Sequence, residues 1–343
     1  MSLLSDDGMA YPIEHSLFDY SGLYLPVQAL RDLSIQHVLN IEGVWDAANT
    51  EVNTNDLSKN ILFLEENNGC LTPGEIIKKN GKYEIIISLT FCQFLWAVGL
   101  YISTVFDNVV QIPMMNAMGC NIHGYKANKA AVEFAGDSFF RARRLLEKQW
   151  RKEIFFEIPN ICDPQAFRDE IGKANALMIS GVGFIFAHEL AHSYLGHTQT
   201  VSNADQMVKD EIAADELALD WLAETFGADD GYTNKVGIAN LLCALLFMGP
   251  DSVSGGGSHP HMDIRIDLLM KRMDVPEIDV LWGYVGSALR LWLMVYGGYS
   301  IAEDMALKPF NFYKDFYDYY LAKLRETRQR LFPEWVKPDW YVE

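Results

Sequence analysis

From Ile85 to Phe106 the chain runs for 22 residues without a charge, between Glu84 and Asp107. Such a run must be hidden from water, either in a bilayer, which it is long enough to span, or in the core of a large fold. Local signals favour the core. Asn80-Gly81 is a turn pair, Tyr83 to Ile87 is rich in β-branched residues, and Ser88 has the chemistry of a helix N-cap. The run reads as turn, strand and buried helix, with a membrane span over Ile85 to Phe106 as the rival. A second apolar stretch, Leu281 to Tyr299, carries Arg290 and four glycines and reads as a core helix and its end.

A chain of 343 residues, half of them hydrophobic and 22% charged, can bury a sizeable core. Its net charge of −18 repels phosphate backbones and anionic lipid alike, which argues against nucleic acid or a membrane surface as partner. Cys70, Cys92, Cys120, Cys162 and Cys243 are odd in number and include no CxxC pair, as expected of reduced thiols. The first residues lack the basic and apolar regions of a secretory signal, so the expected compartment is the cytoplasm.

No repeat or low-complexity linker divides the chain, and a soft boundary is drawn from pattern alone. Residues 1–150 read as an α+β region of unknown role with a small sheet. Its short apolar runs, Ile61 to Leu64 and Tyr83 to Ile87, alternate with turns at Asn68-Gly69 and Asn80-Gly81 before a basic stretch, Arg141 to Lys152. In residues 151–343, Glu153 to Ile158 reads as a strand or helix end. Helices are expected over Ala174 to Gly196, Lys209 to Phe226 and Phe312 to Arg330. The predicted class is α+β, predominantly helical.

The chemistry is concentrated in the second region. His188-Glu189-Leu190-Ala191-His192 is HExxH, and a four-residue step on a helix returns the two imidazoles to one face, one turn apart. They can share one metal, while Glu189 flanks that face and can take a proton from a metal-bound water without ligating. Among 343 residues with 8 histidines the motif arises by chance in on the order of one sequence in a hundred, so further ligands are needed. His197 does not fit the extended HExxHxxGxxH pattern: it comes five residues after His192, not six, and on a continuing helix would lie about 140° from the ligand face.

A carboxylate from a second helix is the other solution. In Glu211-Ile212-Ala213-Ala214-Asp215, Glu211 and Asp215 share a face, so Glu211 can ligate while Asp215 fixes the tautomer of a ligating histidine. Ala213 and Ala214 would let this helix approach closely. Glu216 to Asp220 offers a competing register. Farther on, Gly255-Gly256-Gly257-Ser258 reads as a flexible loop able to bring His259 into the cleft as a donor to an oxyanion.

Together HELAHSYLGH, EIAAD and HPHMDIRI resemble the gluzincin peptidases, in particular the CaaX-protease and HtpX-like pattern HExxHxxxxH, ExxAD, HPxxxxRI, over about residues 180 to 270. The resemblance implies a zincin-like core of two ligand-bearing helices, Zn2+ as cofactor and a protein or peptide substrate. It implies His188, His192 and Glu211 as zinc ligands, Glu189 as base, Asp215 behind a ligand, His259 as transition-state donor, and Arg265 as structural or substrate-facing. Those membrane peptidases carry several spans and a longer gap between the first two blocks, whereas only 18 residues separate His192 from Glu211. The compact arrangement is more similar to the Lit-type phage-exclusion peptidases, which act on a host translation factor. The expected activity is a soluble regulatory or phage-defence endopeptidase; a membrane-anchored quality-control peptidase and a non-catalytic zinc module are the rivals.

Overall fold

Ser88 decides how the long apolar run folds. Its side chain accepts a hydrogen bond from the Phe91 backbone N–H at 3.2 Å, so the strand before it ends and a helix begins. The computed structural model describes residues 26–51, 61–62, 72–79, 82–120, 126–146, 166–197, 203–226, 231–300 and 310–333. The turns at Asn68-Gly69 and Asn80-Gly81, the expected segment Glu153 to Ile158, Cys70 and Cys162 lie outside them.

Two helices, α1 (Pro26–Leu39) and α2 (Glu42–Glu51), precede a three-stranded sheet of β1 (Ile61–Leu62), β2 (Gly74–Lys79) and β3 (Lys82–Ile87). The order is β1-β3-β2: Ile61 pairs with Ile85 in parallel, and Gly74 to Lys79 pair antiparallel with Ile87 to Lys82. β2 is therefore an edge. Then come α3 (Leu89–Val105), a π-helical turn at Phe106–Gln111, α4 (Ile112–Ala117), α5 (Lys129–Arg143), α6 (Arg168–Tyr194), α7 (Ala204–Ala223), α8 (Gly231–Leu246), α9 (Met262–Arg272), α10 (Val280–Val295) and α11 (Tyr313–Leu331). The predominantly helical α+β class expected from the sequence is what is found.

α6 is the centre. It packs against α1, α3, α7 and α8, and from Ser180 to His188 every residue is buried. A polar residue survives in this interior only when it is paired: Trp96 Nε1 on α3 donates to Asn175 Oδ1 at 2.9 Å, and Ser180 Oγ donates to Asn234 Oδ1 on α8 at 2.9 Å. Helices from both sides of residue 150 contribute to one hydrophobic core. The two described helices long and apolar enough to cross a bilayer, Thr90–Asn116 and Arg168–Tyr194, are covered largely by the protein itself.

At the far side α11 pairs with α10 and reaches α9 through a buried ion pair, Arg328 Nε to Asp263 Oδ1 at 3.0 Å. That anchors the helix following the His259 loop.

Losing the cap should be felt throughout α3. Ser88→Ala should lower the unfolding free energy by about 1 kcal/mol in urea titration, and an unchanged midpoint would show that the cap contributes nothing.

Candidate active site

On α6 the helical repeat places His188 and His192 side by side, with their Nε2 atoms 3.1 Å apart. α7 faces them. Its start is set by Asn203, whose side chain accepts from the Gln206 N–H at 2.9 Å, and its buried Ala214 and Ala218 let it lie close to α6. Glu211 then reaches across: Oε1 lies 3.3 Å from His192 Nε2, and Oε2 lies 3.4 Å from His188 Nε2. Glu216 is exposed, and Asp220 pairs with Arg272 at 2.9 Å, so it is the Glu211 register that meets the imidazoles.

Asp215, one turn beyond Glu211, stands behind this group. Its Oδ1 lies 2.9 Å from His188 Nδ1, and Arg265 of α9 grips the same carboxylate twice, Nε to Oδ2 and Nη2 to Oδ1, each at 2.7 Å. Arg265, read from sequence as structural or substrate-facing, thus holds Asp215 and also lines the cleft. His197 approaches the opposite histidine, its Nδ1 3.1 Å from His192 Nδ1.

The loop before α9 differs from the expectation of a flexible glycine segment. Ser252–Gly257 forms a 3-10 helix. Gly255 has a φ of 67°, and a Cβ there would lie 2.7 Å from the Pro260 carbonyl oxygen, so the turn is packed tightly on the segment it leads to. His261 is buried and hydrogen-bonds to the backbone of Val253 and Ser254; burial and the charge of Arg328 push its pKa down to about 4. The loop is tied in place, and it presents His259 at the cleft mouth with Nδ1 3.0 Å from Glu211 Oε2.

The electrostatics favour a cation between the two helices. Burial disfavours charge on His188, but the Asp215 and Glu211 carboxylates outweigh it and push its pKa up to about 10. Burial raises the Glu211 carboxyl, yet its contacts with His188, His192 and His259 hold it far below the usual carboxylate range. Glu189 differs: burial holds its pKa up, and the nearby histidines only partly oppose that.

The donor atoms of His188, His192 and Glu211 all lie within 4.8 Å of one another. Bonds of about 2.0–2.1 Å in a tetrahedron put ligand atoms roughly 3.3 Å apart, close to the 3.1 Å between the two Nε2 atoms and to the 3.3 and 3.4 Å from each Nε2 to its nearer Glu211 oxygen. The group fits a small divalent metal such as zinc.

A cleft of about 820 Å³ opens over this group. Phe184 and Ile185 of α6 with Leu241, Leu245 and Met248 at the end of α8 give it an apolar wall, and Thr72 to Ile76 at the β2 edge form the other side. The sequence reading missed β2 and with it Gly74, where a Cβ would lie 2.5 Å from Ile185 Cγ2 and 3.0 Å from Glu189 Oε1. Pro73-Gly74 ahead of Glu75-Ile76-Ile77 was the available signal.

A glutamate held between two helix-borne histidines, beside an open cleft with a strand edge along it, is an arrangement suited to hydrolysis. Residues 85–285, well over half of the chain, match the model of the family peptidase U49. The chain belongs to that family, and it is a peptidase acting on protein. The matched span contains every candidate site residue from His188 to Arg265. No curated protein and no solved structure shows significant similarity to the chain.

The close packing at Gly74 can be tested. Gly74→Val should leave the fold intact but push the edge strand and Glu189 apart, lowering peptide hydrolysis on the order of a hundredfold. Wild-type turnover in that variant would mean that β2 does not set the position of Glu189.

Proposed function

We propose that the chain is a zinc-dependent endopeptidase, and one observation carries the reading: two imidazole nitrogens 3.1 Å apart, each within 3.4 Å of an oxygen of the Glu211 carboxylate, with Glu189 next to His188 on the same helix. His188, His192 and Glu211 would hold the metal. Zinc, when bound, lowers the pKa of a coordinated water and polarises the scissile carbonyl.

The chain's own residues supply the rest. Glu189 takes the proton of the attacking water and returns it to the leaving amine, a double duty that suits a carboxyl whose pKa is raised by burial. His259, exposed at the cleft mouth, donates to the carbonyl oxygen as negative charge develops there. Asp215, held by Arg265, orients His188 so that Nε2 faces the metal. The substrate lies extended along the β2 edge, pairing its main chain with the backbone groups that β3 leaves unused. A cytoplasmic regulatory or phage-defence role is supported by the likeness of the site motifs to the Lit-type peptidases and by the match to the peptidase U49 family.

Elemental analysis of the purified chain should find one zinc per molecule, lost in His188→Ala and His192→Ala. Glu189→Gln should keep the zinc and lose turnover by 10²-fold or more, because the group removed is a base rather than a ligand. Glu211→Gln should weaken zinc binding strongly, while Glu216→Gln leaves it at the wild-type level. His259→Ala should keep the metal and lose about a hundredfold in turnover. Full zinc retention in Glu211→Gln, or zinc-bound wild type inert towards every peptide in a broad library, would overturn the reading; the second result would leave a non-catalytic zinc module.

A further inference from the structure

We propose that His197 is a positioning residue for His192, through a relay His192–His197–Asp210 that ties the second imidazole to α7. It rests on the reading of His188, His192 and Glu211 as a metal site.

The chain is built to bring His197 back. α6 ends at Tyr194, and Gly196 adopts a φ of 77°, a left-handed conformation that turns the next residue towards the helix it has just left. His197 Nδ1 consequently stops 3.1 Å from His192 Nδ1, with its Nε2 3.6 Å from Asp210 Oδ1.

Those distances fix the roles of the ring nitrogens. His192 Nε2 faces His188 Nε2 at 3.1 Å and Glu211 Oε1 at 3.3 Å, so Nε2 is the atom that must present a lone pair. In a neutral ring Nδ1 then carries the hydrogen and donates it to His197 Nδ1, which must accept. The hydrogen of His197 is thereby placed on Nε2, directed at Asp210. At 3.6 Å this last contact is an electrostatic one rather than a direct hydrogen bond.

Asp210 precedes Glu211 on α7, and Asp215 follows one turn later. Each imidazole is thus backed by a carboxylate of the same helix: His188 by Asp215 directly, His192 by Asp210 through His197. The geometry does not suit His197 as a fourth ligand, since it meets His192 on the nitrogen that faces away from Glu211.

The test is the zinc dissociation constant of the full-length chain, measured by competition with a chromophoric chelator, together with the absorption spectrum of the cobalt-substituted protein. His197→Ala and His197→Phe should weaken zinc binding 10- to 100-fold and alter the cobalt spectrum. His197→Gln, whose carbonyl can accept from Nδ1 and whose amide can donate to Asp210, should stay within a few-fold of wild type. Should the alanine variant not fold, the phenylalanine and glutamine pair decides. Equal affinities for Phe and Gln, or wild-type affinity in His197→Ala, would overturn the relay. His188→Ala keeps the two readings apart: if it loses zinc while His197→Ala does not, only the relay fails, and if wild type and His188→Ala bind zinc equally weakly, the metal site itself fails.

Discussion

The carboxylate of Asp215 is buried between the ring of His188 and the guanidinium of Arg265, and the site depends on that contact. A carboxylate taken out of water costs several kcal/mol unless its oxygens are paired, and here both oxygens are engaged by Arg265 in a bidentate grip. The three residues come from α6, α7 and α9, so satisfying one buried charge sets the mutual placement of three helices. Glu211 is brought to the imidazoles by the same registration. On α9 the chain of constraint continues, since Asp263 near the start of that helix is held by Arg328 from α11.

α6 separates two environments. From Ser180 to Ala187 every residue is buried, packed by α1, α3 and α8, and this interior gives the reactive end a fixed base. The sheet contributes from the opposite side: β3 is buried at Ile85 and Ile87, while β2 offers its free edge to the cleft and rests on Ile185 and Glu189 through the absent side chain of Gly74. The apolar wall and the polar cluster therefore meet at one strand edge.

What could be read from the sequence follows the range of the forces involved. The HExxH face and the Glu211–Asp215 face depend on helical periodicity within five residues, and the structure presents both as expected. The Ser88 cap and the strand at Tyr83 to Ile87 are local too. β2 left only a faint local signal, Pro73-Gly74 before Glu75-Ile76-Ile77, because a six-residue edge strand is defined mainly by its pairing with β3 and its packing on α6. The position of His197 was not legible, because a helical offset applies to it only if the helix runs on; the helix ends at Tyr194, and Gly196 at a φ of 77° sets where His197 goes. Gly255 to Ser258 read as a loop, whereas Gly255 to Gly257 close a 3-10 helix whose turn packs on Pro260, a contact made five residues along the chain. The Asp263–Arg328 pair spans 65 residues, a distance over which no periodic pattern carries information.

X-ray absorption at the zinc edge of the purified wild-type chain examines the metal centre directly. It should show two imidazole nitrogens at about 2.0–2.1 Å with oxygen ligands completing the shell and no sulfur. A shell of three or four imidazoles, or one containing a thiolate sulfur at about 2.3 Å, would contradict the assignment of His188, His192 and Glu211 as the zinc ligands.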